Sequence, residues 1–142
     1  MMEYFRDERL RPPASEADLA QLEQDLGFRL PDDYRAFLLV SDGYNGYVGV
    51  EGYADLWSSR RLASDNEGYE VRSNEGYEAR SYVAELMLIG SNGGPTAYGI
   101  DRHDGRPWFV SIPFVPMQRN EIRRLGAAFT AFLAALSAGE GW

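Results

Sequence analysis

The sequence predicts an α+β fold: a mainly antiparallel sheet with two N-terminal helices and a C-terminal helix packed on it. Three observations carry that expectation. Apolar residues recur at helical spacing near both ends of the chain, while the middle holds short apolar runs parted by turn residues. Asp104-Gly105 sits between two such runs and is a hairpin signal, which joins antiparallel neighbours. Helices gathered at the ends, with hairpin-linked strands between them, give an α+β rather than an alternating α/β arrangement. The 142 residues suit one domain. Residues 1–14 read as an N-terminal arm, residues 15–138 as the domain and residues 139–142 as a tail.

The first helix is marked by Ser15, a favourable N-cap, with Glu16 and Asp18 in the positive first turn. Leu19, Leu22 and Leu26 then form one apolar stripe, and Gly27 suits the left-handed residue that ends a helix. Pro31 fits the start of a second helix, Asp32 and Asp33 its first turn, and Tyr34, Phe37 and Leu38 its buried face. That helix is expected to stop near Ser41-Asp42-Gly43. Residues 42–52 hold Gly43, Gly46, Gly49 and Gly52, which predicts a tight turn feeding a short strand around Tyr47–Glu51. Tyr53 to Ala63 sustains no period. Residues 66–73 are repeated as 74–81, differing only at Val71 and Ala79, which reads as a variable loop lengthened by duplication. Val83–Ile89 is apolar enough for a central strand, and Gly90–Pro95 for a turn. Thr96–Asp101 alternates like a half-buried strand, and Trp108–Ile112 returns with Trp108, Val110 and Ile112 on one face. Phe129, Phe132, Leu133 and Leu136 mark the closing amphipathic helix.

Composition narrows the function. With 22 acidic and 14 basic residues the net charge is −8, which disfavours a nucleic acid or an anionic membrane as the main partner. All the basic residues are Arg, so no lysine is available for a Schiff base or a phosphate loop. Cysteine is absent, which removes disulfides, thiol catalysis and thiolate metal sites. A reducing cytoplasm is the expected location: Met1–Pro13 lacks a signal-peptide apolar run, and Ala127–Leu136 is too short to span a bilayer.

No catalytic constellation emerges. His103 is the sole histidine and sits in a turn. Asp32 and Asp33 are neighbours on a helix and point about 100° apart, so they do not face one sugar across about 5–9.5 Å. Gly90-Ser91-Asn92-Gly93-Gly94 lies between strands, with neither a following helix nor a lysine to make it a phosphate loop. The expectation is therefore no catalytic residue, no metal and no cofactor. Partner-binding candidates are Tyr44, Tyr47, Glu67, Tyr69, Glu70, Glu75, Tyr77 and Glu78, whose rings and carboxylates suit an interface. Asn92, Tyr98 and Asp101 are the candidates for a small-molecule pocket near the Gly-rich turn. Oligomeric state stays open.

The run from Leu26-Gly27 through Leu30-Pro31-Asp32-Asp33-Tyr34 and Phe37-Leu38 to Asp42-Gly43 resembles the N-terminal signature of Smi1/Knr4 (SUKH) domains, with Asp42 where the family typically has Asn. Leu86–Gly94 with Tyr98-Gly99-Ile100-Asp101 looks like that family's central strand, turn and next strand. Arg124-Leu125-Gly126 through Phe129 and Phe132-Leu133 is similar to its closing helix. The resemblance spans roughly residues 15–136, and the duplication lies outside the pattern. It implies an α+β binding module rather than an enzyme. Bacterial members look like immunity proteins that neutralise polymorphic toxins, often nucleases, and fungal relatives are linked to cell-wall regulation. The resemblance thus implies a protein partner, a cognate toxin domain, with a stand-alone regulatory or scaffolding module as the alternative.

Overall fold

The computed structural model describes residues 1–64, 66, 83 and 85–141. In chain order the elements are α1 (Glu16–Leu26), α2 (Asp32–Leu38), β1 (Tyr44–Val48), β2 (Gly52–Leu56), α3 (residues 59–64), β3 (Leu86–Ser91), β4 (Thr96–Asp101), β5 (Trp108–Pro113), β6 (Arg123–Gly126) and α4 (Phe129–Ser137). The described strands form one antiparallel sheet in the order β1-β2-β3-β4-β5-β6, each paired with its sequence neighbour. The fold is the α+β class that the end helices and the Asp104-Gly105 hairpin predict.

Local chemistry sets the helix ends. Ser15 and Asp18 form a reciprocal capping box on α1, and Gly27 closes it with φ +67°. Arg35 of α2 holds α1 in place through Glu16 (2.6 Å) and Glu23 (3.3 Å), while the second Glu23 oxygen accepts from the Leu30 amide. Of the two adjacent acids, Asp32 meets exposed Arg29. Asp33 instead reaches the start of α4 and accepts from the Thr130 amide and hydroxyl. α4 has no side-chain cap of its own, so an acid from another helix neutralises its unpaired amides. Asp42 acts similarly on α3, accepting from the amide and hydroxyl of Ser59. A carboxylate there serves as well as an amide oxygen, which accounts for Asp in place of Asn.

The aromatic part of the core lies between α2, α4 and one face of the sheet, and buried residues continue on the other face of β3, β4 and β5. Tyr34 and Phe37 of α2 meet Phe129 of α4, each pair with ring centroids 5.1 Å apart, and Phe132 stacks on Phe109 at 5.5 Å. Such pairs add about 0.5–1.5 kcal/mol each beyond their burial. The Tyr34 hydroxyl is buried without a partner, and that burial, with the charge of Asp42, pushes its pKa up.

Several expectations are corrected. The first strand begins at Tyr44, not Tyr47, because the turn falls at residues 49–51, where Gly49 is left-handed. Within the unassigned stretch, residues up to Leu56 form β2 and 59–64 form a helix. β3 starts three residues late, at Leu86, and reaches Ser91. β4 is not half-buried: Ala97 to Asp101 are all buried, and β5 is buried at both faces from Phe109 to Ile112. Arg124-Leu125-Gly126 belongs to β6 rather than to the closing helix, which starts at Phe129.

Candidate protein-binding surface

The β1–β2 hairpin carries two of the large apolar side chains exposed among the described residues, Tyr47 and Val50; Val40 and Val115 stand apart from it. Alternation sends Tyr44, Gly46 and Val48 to the core and Asn45 and Tyr47 outward. Tyr47 lies opposite Tyr53 in the ladder, their rings edge to face at 5.6 Å, and the Tyr53 hydroxyl donates to the Asn45 side chain. Tyr47 is 62% exposed and Val50, at the tip, 83%. Isolated exposed apolar residues are ordinary, whereas two on one hairpin, Tyr47 at the end of β1 and Val50 on the turn, beside a second tyrosine make a patch. Glu51 and Asp55 border it on one side, while the Arg6 guanidinium reaches the Gly49 carbonyl on the other, so charges of both signs rim the patch.

The hairpin is fastened from two sides. The Gly49 amide donates to the Tyr4 carbonyl (2.8 Å), and the Arg6 guanidinium donates to the Gly49 carbonyl (2.8 Å). From α4, the Ser137 hydroxyl accepts from the Val50 amide and the Ser137 carbonyl from the Glu51 amide, both at 3.0 Å. A Cβ on Gly49 would come within 2.1 Å of the Ser137 hydroxyl oxygen, and φ is +60°, so only glycine fits. Tyr47 and Val50 therefore stand on a hairpin whose shape is set before any partner arrives, which lowers the ordering cost of binding.

Of the sequence candidates, Tyr47 is on this surface and Tyr44 is not. Tyr44 is fully buried, its hydroxyl accepting from the Arg6 amide at 3.0 Å and donating to the Tyr47 carbonyl at 2.6 Å. It holds the hairpin to the N-terminal arm. Glu67, Tyr69, Glu70, Glu75, Tyr77 and Glu78 lie outside the described residues. The three pocket candidates do not converge. Tyr98 and Asp101, three residues apart on one strand, face opposite sides of the sheet. Each is also spent: Asn92 accepts from the Gly94 and Thr96 amides, Tyr98 donates to the Gly141 carbonyl at 2.9 Å, and Asp101 pairs with Arg119 at 3.0 Å. Burial pushes the Tyr98 hydroxyl up to about 12. Concavities lie elsewhere, one being an open groove of about 510 Å³ between α1 and residues 58–63, where Asp18 and Asp42 are already spent as caps. His103 is exposed and faces Glu85 at 3.1 Å.

Val50 and Tyr53 were not among the sequence candidates for the surface. The signal for both was the Gly49–Gly52 pair, which places a turn at the tip and so sets which side chains face out. Among the described residues no group of three or more His, Asp or Glu side chains is placed to hold a metal, and no helix is long and apolar enough to cross a membrane.

An antiparallel sheet backed by α2 and α4 and fronted by a rigid tyrosine-bearing hairpin describes a class of small α+β domain. The comparison with protein families is specific: the chain belongs to the SMI1 / KNR4 family (SUKH-1), whose model matches residues 13–135. No curated protein matches the chain.

Proposed function

We propose that the protein is a protein-binding module of immunity type, which engages and neutralises a cognate toxin domain through the outer face of the β1–β2 hairpin. The supporting observation is Tyr47 with Val50, exposed on a hairpin whose turn is pinned by both the N-terminal arm and α4. Tyrosine gives large contact area with few rotors to freeze, and so suits the centre of an interface. Family membership supports the same reading, as does the net charge of −8. A toxin domain that acts on nucleic acid must attract phosphates and so presents a basic cleft, toward which an acidic protein is steered. On sequence grounds the surface extends to Glu67, Tyr69, Glu70, Glu75, Tyr77 and Glu78. The protein works in the cytoplasm, binds stoichiometrically and transforms nothing. The second reading, a scaffold without a toxin, has no observation of its own in its favour.

Co-expression with the toxin domain encoded beside it in the genome tests the proposal. Cells survive with the wild-type protein and die with the folded double variant Tyr47→Ala/Val50→Ser. Death with both proteins hands the case to the scaffold reading. For the purified pair, the association rate falls steeply as salt rises; a salt-indifferent rate refutes steering.

A further inference from the structure

The sheet has a second surface, at the opposite edge from the hairpin. Among the described residues, the backbone ladder made by β6 is with β5, and no other backbone group meets its outer side. Arg123 and Arg124 are exposed, while Leu125 and Gly126 are partly covered by α4. A Cβ on Gly126 would lie 2.7 Å from the Phe132 amide nitrogen, so α4 backs the strand closely, and a bulge at Leu125 interrupts its ladder with β5 between Gly126 and Arg124. An unpaired strand edge is a template for another strand.

Charge selects what that strand should be. Residues 101–126 carry five arginines against Asp101, Asp104 and Glu121, a local excess of positive charge on a chain whose net charge is −8, and Asp101 is paired with Arg119. Arg124 is engaged, over the Trp108 ring at 4.4 Å and with Asp104 at 2.6 Å. Arg123 and Arg106 are exposed and make no ion pair among the described residues. Neighbouring side chains on a strand face opposite ways, so Arg123 and Arg124 present positive charge on both faces of the edge. Two copies of this chain paired through β6 would line four arginines, two from each copy, along one short seam. Like charges across strands repel, which disfavours that occupant.

We propose that the outer edge of β6 takes up an extended acidic segment of a second polypeptide as an added strand. Backbone hydrogen bonds to the edge supply the docking geometry, and carboxylates of the incoming strand meet Arg123. Because β1 and β6 are the two ends of the sheet order, this site is separate from the hairpin face. Both can be occupied at once, and the proposal stands whether or not the toxin reading does.

The test titrates the full isotope-labelled chain with a short end-capped peptide of alternating Glu and Val. The same peptide with Lys for Glu, and a short single-stranded oligonucleotide, are the comparison probes. The expected result is amide shifts and slowed exchange confined to residues 123–126 with the Glu–Val peptide. Binding should be about tenfold weaker to a folded Arg123→Glu variant, which instead takes the Lys–Val peptide. Four outcomes overturn the proposal: no response at β6, which leaves the arginines as guards of a strand edge; equal response to both peptides; stronger response to the oligonucleotide; or a concentration-dependent dimer protected at β6.

Discussion

The two edges of this sheet are managed by opposite means. At β1, the N-terminal arm folds over the edge: Phe5, 5% exposed, stacks on Phe37 at 4.8 Å and meets Tyr44 at 4.7 Å, while Tyr4 and Arg6 bond to Gly49. At β6, no backbone group of the described residues meets the outer side of the strand, and two exposed arginines stand there. A strand edge can be closed by burial or left open and charged. The first gives rigidity to the surface beside it, which is where Tyr47 and Val50 project. The second leaves backbone groups available and sets the sign of what can approach.

The contrast yields tests of graded size. Phe5→Ala removes the apolar cover of the β1 edge and should cost about 3 kcal/mol, read from the denaturant midpoint, with faster amide exchange through β1. A loss below about 0.5 kcal/mol would mean the arm adds nothing, and the contrast between edges would collapse. Tyr44→Phe keeps the packing but deletes two hydrogen bonds, and should cost about 1–2 kcal/mol while leaving the core spectrum unchanged.

A smaller effect is expected at the centre of the sheet, as a reference for both edges. Burial raises the Tyr98 hydroxyl to about 12 in the folded protein, against 10.0 for an ordinary tyrosine. Between those values the unfolded chain releases this proton first, so stability falls as pH rises through the window; it is fully present below the lower value. Tyr98→Phe should shallow that alkaline decline, as seen in melting temperature against pH. The smallest effect belongs to the open edge. Arg124 and Asp104 are both substantially exposed, and the Asp104 carboxyl is held below its usual range by the Arg106 amide and then by Arg124. Because exposed pairs contribute little, Arg124→Ala should leave the denaturant midpoint near wild type at neutral pH. A large drop would mean the β6 edge is structural after all.

Much of the fold was legible in the sequence, and the failures have physical causes. Capping residues and apolar stripes act locally, so Ser15, Asp18, Gly27 and the Phe129–Leu136 stripe could be read without tertiary information. β6 could not: an exposed edge strand with the sequence Arg-Arg-Leu-Gly has no apolar alternation to announce it. β4 and β5 misled in another way: their alternation suggested one buried face, whereas both faces are covered. At the candidate site, Tyr44 and Tyr47 have similar surroundings in sequence, and only the strand register separates the buried ring from the exposed one. Shifting a strand by one residue exchanges the two. Asn92, Tyr98 and Asp101 are close in sequence, yet strand alternation and local hydrogen bonds disperse them.

Hydrogen exchange on the protein, alone and mixed with the proposed toxin partner, tests the central claim most directly. Slowed exchange through residues 44–53 on binding, with α1 and α2 unchanged, is the expected result. Protection on the α1–α2 surface, with the hairpin exchanging as freely as before, would contradict it.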